Sequence, residues 1–116
     1  PGAARCRSMV LSPQSQSKWT ATYLLVEWQT CPNDDGEVAQ VVLKVDGQEM
    51  MRGEPGRGRF TMFGVRDGNH VVEVVSLDSA GRHVDLGPAM VSSFTAEVGS
   101  SLLGAMAERV KRLEED

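Results

Sequence analysis

The segment from Asp67 to Gly81 constrains the fold more than any other part of this sequence. Asp67-Gly68-Asn69 is a turn signal, because Gly adopts positive φ freely and Asp and Asn side chains hydrogen-bond to nearby backbone. His70 to Asp78 follows without Gly or Pro and is rich in β-branched residues, which predicts a strand. Ser79-Ala80-Gly81 then turns the chain again. Valine occupies both alternating faces of this strand, so we expect a central strand with neighbours on both sides.

Six further short strands are predicted from alternating apolar side chains and from the turn signals between them. They are 8–11, Trp19–Gln29, Glu37–Asp46, Gln48–Met51, Phe60–Val65 and Ala89–Val98. Asp46-Gly47 is a hairpin signal, and Arg52–Arg59 and Arg82–Pro88 are predicted to be loops. About seven short strands without alternating helices are typical of an all-β, seven-stranded antiparallel sandwich. The length of 116 residues indicates one domain.

Apolar side chains on alternate positions define the expected core. Leu24, Val26 and Trp28 share one face of their strand, and we expect Trp28 to lie in the centre of the sandwich. Phe94, Ala96 and Val98 share one face of the last strand in the same way. Aromatic residues make up only 5% of the chain, so aliphatic side chains must fill most of this core.

The hydrophobic period changes after Val98, and the chain divides accordingly. Residues 1–7 are predicted to be an N-terminal tether, 8–98 the β-sandwich domain, and 99–116 a C-terminal amphipathic helix. Ser100 or Ser101 is suited to cap that helix. Its apolar stripe consists of Leu102, Leu103, Met106, Val110 and Leu113. The stripe needs a covering surface, either the sandwich or a partner, or else the helix is a linker or dimerising arm; we favour docking or partner packing.

Three strands resemble fibronectin type III and related immunoglobulin-like domains. The pattern His-x-Val-x-Val-x-Ser-x-Asp-x-x-Gly from His70 to Gly81 resembles strand F, with His70 in the aromatic position and Ser76 as the small core residue. Leu24-x-Val26-x-Trp28 resembles strand B, and Phe94-x-Ala96-x-Val98 resembles strand G. The resemblance covers residues 8–98 and implies a fold rather than an activity. Two features depart from the family pattern: His70 stands where Tyr is usual, and the C-terminal helix is additional.

The two cysteines, Cys6 and Cys31, are expected to form a disulfide. If 9–11 is strand A and pairs antiparallel with strand B, Cys6 precedes the start of A and Cys31 follows the end of B. Both then lie at one end of the sandwich. A bridge there differs from the immunoglobulin disulfide, which joins strands B and F across the core. Reduced thiols are the alternative.

Composition and motifs argue against several function classes. A net charge of −4 disfavours nucleic-acid binding, and no apolar run has the roughly 20 residues needed for membrane insertion. Neither histidine, His70 nor His83, belongs to a recognisable catalytic or metal-binding motif, and the serines lack a nucleophile-elbow context. We therefore expect no catalytic residues, no metal site and no cofactor.

Three weaker interpretations concern ligands. Asp34, Asp35, Asp78 and Asp85 fall in loops predicted at one end of the sandwich, where carboxylates could bind Ca²⁺; ordinary turn chemistry is preferred. Arg52, Arg57 and Arg59 could contact an anion, although a flexible connection between the sheets is preferred. Trp19 could stack on a sugar.

The leading functional hypothesis is a non-catalytic module for protein–protein interaction or spacing within a larger protein or assembly. Its partner, or a neighbouring domain, would be bound by the helix through Leu103, Met106, Val110 and Leu113. The alternative is an accessory carbohydrate-binding module of an extracellular enzyme, with Trp19 as the binding residue. An expected disulfide points to an extracellular or secretory location.

Overall fold

Two facing β-sheets are formed by residues 7–31 and 37–98, the parts of the chain that the computed structural model describes. The small sheet has the strand order β1-β3-β6. The large sheet has the order β2-β9-β7-β4-β5. Its sixth strand, β8, pairs with β7 and lies outside this linear order. The strands are β1 Met9–Ser12, β2 Lys18–Trp19, β3 Tyr23–Gln29, β4 Gln40–Val45, β5 Gln48–Gly53, β6 Arg57–Phe63, β7 Gly68–Leu77, β8 His83–Val84 and β9 Val91–Ala96.

β7 is the central strand of the large sheet, as its sequence predicts. It pairs antiparallel with β4 on one side and with β9 on the other. Val72, Val74 and Ser76 point into the core and are buried, whereas Val71 on the opposite face is 41% exposed. β7 is therefore central in its sheet, but the face that carries Val71 contacts solvent.

The core lies between the two sheets, and Trp28 is its largest fully buried side chain. Leu24 and Val26 from β3 pack with it, together with Phe94 and Ala96 from β9. The predicted alternation of both strands is therefore confirmed. Gly58 of β6 pairs with Trp28, and a Cβ atom at Gly58 would lie 2.1 Å from Cζ2 of the indole. Only glycine leaves room for the ring at this point.

The predicted strand Trp19–Gln29 is wrong as a single element. β2 pairs parallel with β9 in the large sheet, and β3 pairs with β1 and β6 in the small sheet. Residues 20–22 carry the chain from one sheet to the other. The break arises because Trp19 and Tyr23 have pairing partners in different sheets, Ala96 and Phe63 respectively.

The described residues contain nine strands instead of seven, and several boundaries differ from the prediction. β6 begins at Arg57 inside the predicted loop Arg52–Arg59, because Arg57 and Arg59 pair with β3. β8 lies inside the predicted loop Arg82–Pro88, where a hairpin turn at Asp78 returns the chain to β7. The last strand begins with a 3₁₀ turn, Pro88–Met90, before β9. The hairpin at Asp46-Gly47 is confirmed, with φ values of 52° and 82°.

The chain reaches and leaves the sandwich at opposite ends. Arg7 lies at the end of β3 marked by Gln29, whose side-chain amide donates to the Arg7 carbonyl at 2.7 Å. β9 ends beside Trp19 at the other end of β3, where the Glu97 amide donates to the Trp19 carbonyl at 2.8 Å. The predicted helix of residues 99–116 lies outside the described residues.

Candidate functional site

Three aromatic side chains form an apolar surface at the end of the sandwich where β9 stops. Tyr23 begins β3 and pairs directly with Phe63, the last residue of β6. Trp19 meets Tyr23 edge to face, with ring centroids 6.5 Å apart and an interplanar angle of 84°. We call Trp19, Tyr23 and Phe63 the aromatic surface.

Exposure distinguishes the aromatic surface from the core. Phe63 is 79% exposed and Tyr23 is 45% exposed. Trp19, the predicted sugar-stacking residue, is half-buried and packs against the core cluster, and its indole N–H donates to the Tyr23 carbonyl at 2.6 Å. Trp19 therefore supports the surface from its edge, and the freely accessible ring is that of Phe63.

Neither Tyr23 nor Phe63 is among the binding residues predicted from the sequence, although the necessary signal is present. Tyr23 alternates with the core residue Leu24, and Phe63 follows Met62, which packs against the core. Strand alternation alone therefore places both rings on the outer face. Their direct contact follows from the register of β3 with β6.

The outer face of the small sheet changes from apolar to charged along β3. The paired residues run from Tyr23 and Phe63, through Leu25 and Thr61, to Glu27 and Arg59, and finally to Gln29 and Arg57. The Arg59 guanidinium lies 3.6 Å from the Glu27 carboxylate. The arginines predicted as a basic loop therefore belong to strands. Arg52, the third, is in β5 and contacts Glu49 at 2.8 Å.

His70 is a structural corner residue. Its ring stacks on Phe94, with centroids 5.6 Å apart. Nδ1 lies 2.7 Å from an Asp46 carboxylate oxygen, and Nε2 lies 2.6 Å from the Arg66 carbonyl. Both partners only accept hydrogen bonds, so both are satisfied only by the doubly protonated ring.

The environment shifts the pKa of both members of this pair. Burial lowers the pKa of His70, but the hydrogen bonds to Asp46 and Arg66 outweigh it, so the pKa lies above its ordinary value of 6.5. Burial likewise raises the pKa of Asp46, and the hydrogen bonds from His70 and Val71 outweigh that effect, so the pKa lies below 3.8. The charged pair ties the β4–β5 turn to the start of β7.

The aspartates considered as calcium ligands act in turns where the structure describes them. An Asp78 carboxylate oxygen accepts the amides of Ala80 and Arg82, and an Asp85 oxygen accepts the amide of Gly87. Asp34 and Asp35 lie outside the described residues. Within the described ranges, no group of three or more His, Cys, Asp or Glu side chains is placed to hold a metal ion.

The remaining predicted site residues divide between two parts of the chain. Cys31 is fully buried at the end of β3, and its amide donates to the Ser8 hydroxyl at 3.0 Å. Cys6 and the helix positions Leu103, Met106, Val110 and Leu113 lie outside the described residues. In 7–31 and 37–98, no helix has the length and apolarity needed to cross a membrane.

Comparison with solved structures identifies the architecture. The fibronectin(III)-like modules of CbhA from Clostridium thermocellum superimpose with a TM-score of 0.51 at 16% identity, over 78% of this chain and 94% of the module. The domain has a fibronectin type III-like fold. In this fibronectin type III-like sandwich β1, β3, β7 and β9 correspond to the strands that the sequence resemblance named A, B, F and G.

Other comparisons add less. A lytic polysaccharide monooxygenase from Jonesia denitrificans matches with a TM-score of 0.41 at 10% identity, over 73% of this chain and 60% of that chain. No protein-family model matches the sequence. No curated protein sequence matches it either.

Proposed function

We propose that this fibronectin type III-like domain is a non-catalytic module that spaces and connects parts of a larger protein or assembly. The observation that carries the proposal is the position of the two chain exits. Arg7 and Glu97 lie at opposite ends of β3, whose seven residues span about 20 Å. A rigid sandwich between these points holds its flanking segments apart at a fixed distance.

Pulsed spin-label distance measurement tests this spacing role. Labels on azido amino acids at positions 7 and 97 avoid the native cysteines, and we expect one narrow distance distribution of at least about 20 Å. A Trp28→Asp variant is the control, because a buried charge in the core should unfold the sandwich and broaden the distribution. A broad distribution in the native protein would count against a rigid spacer.

The same proposal includes contact with a protein partner or neighbouring domain through the C-terminal segment. Leu103, Met106, Val110 and Leu113 would anchor it, because an apolar helical stripe requires a covering surface. Exchanging Met106 and Val110 for Asp should remove hydrogen-exchange protection from residues 99–116. Light scattering shows whether the substitutions also convert a dimer into a monomer. If hydrogen-exchange protection of residues 99–116 is the same in the variant and the native protein, the stripe is not buried.

Carbohydrate binding is the second candidate, favoured by the exposed Phe63 ring beside Tyr23. In this function the module would be an accessory domain of an extracellular enzyme, with Trp19 at the edge of the sugar platform. A glycan array probed with the native protein and with Phe63→Ala tests it. Binding that Phe63→Ala removes would support this function, and an array without any binder would exclude it.

We propose a location outside the cytosol, on the basis of the expected Cys6–Cys31 bridge. The Cys31 amide donates to the Ser8 hydroxyl at one end of the sandwich, and Cys6 precedes Ser8 by two residues in the sequence. Oxidising compartments preserve such bridges.

A further inference from the structure

The described part of the chain leaves two aromatic side chains of the aromatic surface, Tyr23 and Phe63, exposed. Phe63 is the most exposed large apolar side chain in the described part of the chain, and its cross-strand neighbour Tyr23 is also exposed. Leu25 continues the apolar strip along β3. Contiguous apolar patches usually mark a contact with another protein segment.

The chain leaves the sandwich directly beside this surface. β9 ends at Ala96, which pairs with Trp19, and the Glu97 amide is bonded to the Trp19 carbonyl. Trp19 in turn contacts Tyr23 through its indole N–H and ring. Ala96 and Glu97, where the chain leaves the sandwich, are therefore separated from Tyr23 by one side chain, that of Trp19.

The segment that follows Val98 is long enough to run along β3, and its first apolar residues would lie on the apolar part of that face, Tyr23, Phe63 and Leu25. Gly99-Ser100-Ser101 provides a turn of three residues before the predicted helix. A helix of roughly 14 residues is about 21 Å long, which matches the length of about 20 Å for β3. Its apolar stripe begins with Leu102 and Leu103, next to the rings, where burial is most favourable.

Charge favours the same direction of docking. The far end of the small sheet carries Arg57 and Arg59, with Glu27 as the acidic neighbour of Arg59. Residues 114–116 are Glu-Glu-Asp, and they follow the basic residues Arg109, Lys111 and Arg112. A helix that starts at the aromatic surface brings these three acidic residues to the arginine end.

We propose that residues 99–116 dock in cis on the outer face of the small sheet, with the apolar stripe on Tyr23 and Phe63. This inference rests on the proposed function, in which the apolar stripe contacts a protein surface. The surface that covers the stripe is here the sandwich of the same chain. The stripe and the rings thereby remove each other from water. A protein partner that binds this stripe must first displace it from the sheet.

Photo-crosslinking of the full chain tests the proposal. Benzoylphenylalanine at position 63 should crosslink to residues 102–113 within one chain, giving a product of monomer mass that peptide mapping identifies. The same amino acid at position 71 is the matched control, because Val71 is also exposed but lies on the outer face of the large sheet. It should give no crosslink to this segment.

Two double variants test whether the crosslink depends on contact between the apolar stripe and the sheet. Met106→Asp with Val110→Asp should abolish it, whereas Lys111→Asp with Arg112→Asp places two aspartates on the predicted polar face and should leave it intact. A crosslink of dimer mass, an intramolecular crosslink from position 71, or none from position 63 would overturn cis docking. The spin-label distance between positions 7 and 97 would be unaffected by such a result, so the spacing role is tested separately.

Discussion

At the scale of single residues, the pairing of Gly58 with Trp28 is the tightest constraint in the described structure. The indole occupies the space in which any other residue at position 58 would place its Cβ. Gly58 has no positive φ, so its requirement is steric and does not come from backbone conformation. Gly58 is therefore needed for packing, whereas its neighbour Gly56 has a positive φ of 112° and open space around its Cβ position.

We predict that Gly58→Ala destabilises the sandwich by about 1–3 kcal/mol, the range for overpacking a core. The added methyl must displace a fully buried ring that has little room to move. Urea denaturation followed by fluorescence measures the effect. Gly53→Ala is the matched control, since its Cβ would be 3.5 Å from the nearest atom, an ordinary contact. Equal losses in the two variants would contradict the steric explanation.

His70 is expected to make stability depend on pH. Its folded-state pKa is raised, so its contribution is fully present below about 6.5 and is lost as pH rises through the folded pKa. Asp46 has a lowered pKa, so its contribution is present above 3.8 and is lost as pH falls through the folded pKa. The pair therefore stabilises most between these limits.

Melting temperatures of His70→Phe and the native protein between pH 5 and 9 test this prediction. The difference in melting temperature should change with pH on the alkaline side of about 6.5, since only the native protein carries the titrating ring. His83→Gln, which replaces the exposed histidine of β8, is the control for the removal of a histidine. A constant difference across this range would show that the His70–Asp46 pair contributes nothing through its charge.

At the scale of elements, local patterns predict the strands but not which sheet each one joins. The β7 and β9 core faces and the Asp46-Gly47 hairpin follow from alternation and turn chemistry, and the structure confirms them. Thr20-Ala21-Thr22 contains no Gly or Pro, so nothing local separates β2 from β3. That break depends on Ala96 and Phe63, which are distant in sequence.

The candidate site illustrates the same limit. Trp19 is the predicted sugar-binding residue because a tryptophan at the start of a strand can be exposed and stack on a sugar, yet its indole N–H is bonded to the Tyr23 carbonyl. The outward direction of Phe63 follows from alternation. Its position beside Tyr23 requires the β3–β6 register, which no local signal in the sequence contains.

The Cys6–Cys31 bridge is a prediction at this scale, because it would join the start of β1 to the end of β3. Antiparallel pairing of Met9 with Gln29 confirms that these two ends lie together. Intact mass spectrometry with alkylation, before and after reduction, detects the bridge directly. Its loss in Cys6→Ser should cost about 3 kcal/mol by the chain-entropy estimate. Two alkylated thiols in the unreduced protein would contradict it.

At the scale of the whole molecule, both sheets contribute to one core, so we expect a single cooperative unfolding transition. Tryptophan fluorescence reports Trp28 at the centre of that core together with Trp19 at its edge, and far-UV circular dichroism reports both sheets. The two signals should give the same urea midpoint. Separate midpoints would mean that one sheet can unfold while the other persists.

The parallel pairing of β2 with β9 has a consequence for a spacer under tension. Residues 16–19 and 93–97 are joined by backbone hydrogen bonds from Gln16 to Ser93, from Thr95 to Ser17 and from Glu97 to Trp19. If the flanking segments are pulled apart, the force reaches β2 once β1 has separated from β3, and β2 is then drawn toward one end of the sandwich and β9 toward the other. The two strands then slide along each other, and their bonds must break together rather than in succession. The β2–β9 pairing contains only two strand residues of β2, yet it resists mechanical extension of the whole domain.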